Sequence, residues 1–134
     1  MATPMKQIIQ QMRGKLINDT SLMAQLVGGV HSFIPEKPTY PYARIGDGLE
    51  DKFNCFAKVG KETTIRLYIY SLKNTDEEVL DLVDASDTLL DDCSLTLAGW
   101  TEVLCSWEST QIITEDDNRS RYAVMTYRVI SQKN

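Results

Sequence analysis

Hydrophobic and polar positions alternate most cleanly from Thr63 to Ser71, read Thr-Thr-Ile-Arg-Leu-Tyr-Ile-Tyr-Ser. Ile65, Leu67 and Ile69 fall on one side, and Arg66, Tyr68 and Tyr70 on the other. A period of two predicts a β-strand whose aliphatic face builds the core. A face of arginine and tyrosine belongs to the residue types enriched where proteins meet other surfaces. This strand is the element around which the rest of the pattern is arranged.

Before it, the period is helical. Thr3-Pro4 reads as an N-cap followed by a first-turn proline, and Met5, Ile8, Ile9, Met12 and Leu16 cluster within about 100° of arc. Asn18-Asp19-Thr20 interrupts the helix. Thr20 is expected to cap a short second one over residues 21–27, which Gly28-Gly29 ends. Val30, Ser32 and Ile34 suggest a strand up to Pro35, and Pro38 and Pro41 enforce an extended connection. Tyr42 to Ile45 reads as a short strand turned by Gly46-Asp47-Gly48. Leu49 to Gly60 mixes Phe53, Cys55 and Phe56 with charges, which suggests a long arm between strands.

After the central strand, Thr75 and Glu78 have the spacing of a capping box for a helix running to about Asp91. Val79, Leu82, Val83, Leu89 and Leu90 share one face with Ser86. Glu77, Asp81, Asp84, Asp87 and Asp91 share the other, and no Lys or Arg occurs from Thr75 to Asp92. Leu80 is the one apolar residue on the acidic side. Ser94 to Leu97 suggests a short strand and Ala98-Gly99 a turn. Trp100 to Ile113 and Arg121 to Ser131 read as strands joined by the polar loop Thr114 to Ser120. The order predicts a single α+β domain over residues 1–134: one mixed, mostly antiparallel sheet, two main helices packed on one face, and a protruding arm at about 46–62.

Composition narrows the classes. At 134 residues, 43% hydrophobic and 25% charged, the chain suits one soluble globular domain. Its net charge of −5 argues against a free-standing nucleic-acid binder. No run of eighteen apolar residues is present to span a membrane, and the start Met-Ala-Thr-Pro-Met-Lys does not read as a secretory signal. Cys55, Cys93 and Cys105 form no close pair in sequence, which suggests reduced thiols rather than a disulfide framework or zinc knuckle.

Chemical motifs do not emerge. Asp116-Asp117-Asn118-Arg119-Ser120 spaces oxygens as a calcium loop does, but Arg121 and Tyr127 stand where that loop needs Gly and Glu. It is read as a solvated hairpin tip. Any histidine chemistry must pass through His31, whose default role is packing or a hydrogen bond. The glycine pairs lack the remaining glycines and lysine of a phosphate cradle. No catalytic, metal or cofactor residue is assigned, and a non-enzymatic role is expected. The candidate residues are instead protein contacts: Arg66, Tyr68, Tyr70, Leu80, Phe53, Phe56, Asp116, Asp117 and Arg119.

The order and spacing of these features resemble the tail-completion or tail-terminator family of long-tailed phages and phage-like gene transfer agents. The resemblance runs from Ile8 to Ile130. It is carried by Leu26-Val27-Gly28-Gly29-Val30, Pro41-Tyr42-Ala43-Arg44-Ile45, the strand from Thr64 to Ser71, the helix from Asp76 to Leu90, and the closing Asp116 to Tyr122 with its strand. It implies a structural virion protein, assembled in the host cytoplasm, whose hexameric ring caps the tail tube, stops its elongation and provides the head-tail joining surface. The implied partners are copies of itself, the tail tube protein and a head-completion or connector protein, with DNA passing through the lumen without specific binding. Six chains would carry about −30, repelling phosphates. A head-closure or neck connector protein, or a small α+β ligand-binding domain or enzyme, are the alternatives.

Overall fold

The computed structural model describes residues 4–54, 59–73, 75–115 and 120–133. The predicted central strand is β3, Gly60–Ser71, three residues longer at its start than its alternation suggests. It lies between β2, Tyr42–Lys52, and β5, Arg121–Gln132, both antiparallel to it. Beyond β5 lies antiparallel β4, Glu102–Thr114, and beyond β2 lies the two-residue parallel strand β1, Val30–His31. The order is therefore β1-β2-β3-β5-β4. The mixed, mostly antiparallel α+β sheet agrees with the expectation from sequence.

Alternation decides what each face contains. Ile65, Leu67 and Ile69 are fully buried, and their partners Tyr127, Met125 and Ala123 lie beside them on the same face. Onto that face pack α1, Met5–Ile17, the short α2, Thr20–Gln25, and α3, Glu77–Leu90. Helix α1 contributes Ile8, Met12 and Leu16, while α3 contributes Val79, Leu82, Val83 and Leu90. Ser86 is buried among them, and Leu89 is partly buried.

Several local expectations are corrected. The short helix begins at Thr20, but its cap is Asp19, whose carboxylate accepts the Leu22 N–H at 3.0 Å. Helix α3 has no capping box, because Glu78 turns away to accept the Ser71 hydroxyl at 2.6 Å. Helix α1 starts after Pro4, whose carbonyl accepts the Ile8 N–H, and Thr3 lies outside the described residues. The strand expected through Ile34 stops at His31. Gly46-Asp47-Gly48 is not a turn but a bulge within one continuous strand, and pairing resumes at Leu49 with Thr64. The arm expected over 49–60 therefore begins as paired strand through Lys52.

The segment expected as a strand at Ser94 to Leu97 forms no ladder. Leu95, Leu97 and Trp100 are buried there, but the backbone is held by α1 side chains. The Gln11 carbonyl oxygen accepts the Thr96 N–H at 2.9 Å while its amide donates back to the Thr96 carbonyl. Gln7 accepts the Ala98 N–H, also at 2.9 Å. Two glutamines thus supply hydrogen bonds that a neighbouring strand would otherwise give. Replacing Gln11 with alanine is expected to speed amide hydrogen exchange at Thr96 by roughly tenfold, leaving β3 unchanged.

Tyr127 is the largest fully buried side chain, and its hydroxyl donates to the Asp87 carboxylate of α3 at 2.7 Å. Burial first, and then this bond, push its phenol well above the ordinary tyrosine value. Such a raised value favours the folded state while pH stays below about 10, and the contribution is lost as pH rises further. Tyr127→Phe is expected to lower stability by about 1.5 kcal/mol in urea unfolding. It should also flatten the alkaline decline above pH 10 by the share that Tyr127 contributes.

Candidate assembly surface

The sheet face opposite the helices carries no described layer over it. Because β2, β3 and β5 are in register, the even-numbered side chains of that face meet in cross-strand rows. Tyr42 pairs with Tyr70, and Tyr70 with Tyr122. Their rings stack at 4.7 Å and 5.5 Å between centroids, with interplanar angles of 15° and 27°. Tyr68 continues the row at 6.4 Å from Tyr70, and Tyr40 meets Tyr42 edge-on at 5.2 Å. Tyr42 ends 3% exposed although it lies on the open face, because other aromatic rings cover it.

The next row is polar. The Arg44 guanidinium lies over the Tyr68 ring at 4.2 Å and donates to both Asp47 carboxylate oxygens, at 3.3 Å and 3.4 Å. The Tyr68 hydroxyl donates to the same carboxylate at 2.5 Å. The bulge places Asp47 there, with φ of 51°, a conformation that aspartate tolerates better than most residues. The hydroxyl bond first, and then Arg44, hold the Asp47 carboxyl below its usual range. Burial first, and then Asp47, raise the Tyr68 phenol. For Tyr42, burial followed by the neighbouring Tyr40 and Tyr70 pushes the phenol up to about 12.

Arg66 stands exposed beside this cluster, along a shallow groove of about 430 Å³ shared with Tyr68, Gln111, Tyr122 and Thr126. At the other end of the face, Phe53, Leu104, Ile130 and Gln132 line an apolar recess of about 190 Å³. Arg128 lies over the Phe53 ring at 5.8 Å and pairs with Glu62 at 3.0 Å. Gly60 allows the close approach of the Phe53 backbone, since a Cβ there would fall 2.0 Å from the Phe53 carbonyl oxygen. A face of stacked tyrosines, fixed arginines and one apolar recess can bind another rigid surface with little ordering cost.

Chain comparison gives this surface its context. The sequence matches the family described as tail completion protein gp17 over residues 10–132. The chain belongs to that family. Membership makes it a structural protein of a phage-type tail, located in the virion. No curated protein matches the chain by sequence. Among solved structures it is similar to a chain from the "Virion of native gene transfer agent (GTA) particle", with a TM-score of 0.87 at 13% identity. That match covers 98% of this chain and 99% of the other, and at such identity it shows a shared fold.

In this tail completion protein, Arg66, Tyr68 and Tyr70 come together on the open face, while Phe53 lies on the same face at its other end. Leu80 does not join them: it is 44% exposed on α3, in the helical layer across the sheet. Phe56, Asp116, Asp117 and Arg119 lie outside the described residues. His31 takes the default role, with its Nε2 2.7 Å from the Gly28 carbonyl oxygen and its ring near Phe33 and Tyr42.

Sequence reasoning missed Tyr42, Arg44, Asp47 and Tyr122. Their signal was the alternation of β2 and β5, but joining them required the register of both strands with β3. If the tyrosine stack is what covers Tyr42, Tyr70→Ala should bring the Tyr42 phenol down from about 12 toward the ordinary value. Ultraviolet titration of the tyrosines would show one group fewer ionising late.

Proposed function

We propose that this chain is the repeating subunit of a closed homohexameric ring that caps the finished tail tube. The ring ends tube elongation and offers its far side to the head-completion or connector protein. Its role is structural and non-enzymatic, and DNA crosses its lumen without specific binding. The observation that carries this reading is the family match over residues 10–132, supported by a whole-chain likeness to a component of a gene transfer agent virion.

Physical properties of the surface support it. A ring requires heterologous contacts, in which two different patches of each subunit meet. The open sheet face presents Arg66 with Tyr68 and Tyr70, and the outer face of α3 presents exposed Leu80 among Glu77, Asp81 and Asp84. The two lie on opposite layers and differ in charge, so they are complementary between neighbouring copies rather than within one. We assign Arg66, Tyr68, Tyr70 and Leu80 to subunit contacts. Phe53 and Phe56, between β2 and β3, and the loop carrying Asp116, Asp117 and Arg119, are assigned to contacts along the tail axis. An acidic subunit, with net charge −5, suits a passage that does not retain phosphates.

Native mass measurement and negative-stain imaging across a concentration series, with and without tail tube protein, test this reading. Six-fold rings are expected, and Arg66→Glu or Leu80→Glu should weaken ring formation by roughly thirtyfold or more while leaving the circular dichroism spectrum unchanged. A monomer at every concentration that also ignores tube protein would overturn it.

A further inference from the structure

Two cysteines far apart in sequence meet at the junction between α3 and β4. Cys93 follows the end of α3, and its N–H donates to the Leu90 carbonyl oxygen at 3.2 Å. The Cys105 thiol, on β4 and 3% exposed, reaches the same oxygen at 3.4 Å. Between them the Asp92 N–H donates to the Cys105 carbonyl oxygen at 3.0 Å, drawing the two backbones together. The two thiols lie close enough to shift each other's acidity in opposite directions. Both are reduced. We propose that Cys93 and Cys105 are a disulfide-forming pair, open in the reducing cytoplasm and closed by a small-molecule disulfide once the particle is outside the cell.

The two thiols differ in a way that orders the reaction. Cys93 is half-buried and borders an open groove shared with Ser94, Trp100 and Val103. Cys105 lies beneath it and has one proton to give, either to the Leu90 carbonyl or to the Cys93 sulfur. That proton, followed by the nearby Lys15 charge against the cost of burial, brings the Cys93 pKa down to about 7, whereas Cys105 is raised. Cys93 is therefore the attacking thiolate. It attacks one sulfur of a disulfide such as oxidised glutathione, forming a mixed disulfide and expelling one glutathione thiolate. Cys105 then passes its proton to solvent or to that thiolate and attacks the Cys93 sulfur. The second glutathione leaves as the thiolate and is protonated. Two electrons pass from the protein dithiol, and one glutathione disulfide becomes two thiols.

Closure would tie the C-terminal end of α3 to β4 across residues 94–104, a stretch that includes the unladdered segment held by Gln7 and Gln11. A virion leaves a reducing compartment for an oxidising one, the setting in which such bonds form and persist. The inference uses the virion location but not ring formation, so it stands or fails apart from the proposed cap.

The test is incubation of the full-length chain, as wild type and with Cys55→Ser, with oxidised glutathione, followed by alkylation and intact mass measurement. No Lys or Arg lies between Lys73 and Arg119, so trypsin leaves both cysteines on one peptide and chymotrypsin, cutting after Trp100, must be used. The expected result in both proteins is loss of two thiols, a mass lower by two hydrogens, and a peptide pair joined through Cys93 and Cys105. The melting midpoint should rise by about 5 °C and return on reduction. Cys93→Ser should show neither the link nor the shift. Retention of all thiols, a glutathione adduct on Cys93 that never resolves, or a link through Cys55 in the wild type would each overturn the proposal.

Discussion

Everything in this fold depends on the register between β3 and β5. The pairs Ile65 with Tyr127, Leu67 with Met125 and Ile69 with Ala123 hold six buried side chains on one face. A slip of one residue would send Arg66, Tyr68 and Tyr70 under the helices and leave the aliphatic row in water. Each buried aliphatic side chain opposes that slip by about 1.5–3 kcal/mol, and burial of an unpaired arginine would add to the cost. The same alternation that closes the core therefore creates the open face. Core and assembly surface are two sides of one constraint.

The layer between helices and sheet is joined by side-chain hydrogen bonds, several of which satisfy backbone groups. Asp87 receives the Tyr127 hydroxyl, Asp91 receives the Trp107 N–H at 2.8 Å, and Gln7 and Gln11 hold the 94–98 backbone. Two of the carboxylates on the acidic side of α3 thus face the protein rather than solvent. Glu77, Asp81 and Asp84 keep the outward position. The helix is acidic for two different reasons along its length.

The sequence made the repeated elements legible and hid the places where two solutions have the same pattern. β3, the apolar stripes of α1 and α3, and the hairpin of β4 and β5 followed from periodicity, because burial enforces periodicity. Gly46-Asp47-Gly48 has the chemistry of a turn and of a bulge alike, and the choice was made by Leu49 finding Thr64 across the sheet. Leu95 and Leu97 alternate as a strand would, yet glutamines from a distant helix satisfy that backbone. Thr20 and Asp19 can both cap a helix, and Asp19, the stronger cap of the two, takes the position. On the candidate surface, Arg66, Tyr68 and Tyr70 were legible from one strand. Tyr42, Arg44, Asp47 and Tyr122 were not, because their grouping is a property of three strands together.

The last consequence concerns the sheet's border. β4 runs from Glu102 to Thr114 with β5 on one side and no strand on the other among the described residues. Its ladder is broken once, between Trp107 and Ser109. A long border strand carries amide and carbonyl groups free to join a foreign strand, and an irregularity in the ladder is one device that discourages it. A subunit awaiting assembly must stay soluble while keeping its docking faces uncovered. The break at Trp107 divides β4 into two shorter runs, so this border is a poor template for indefinite stacking of copies into fibres.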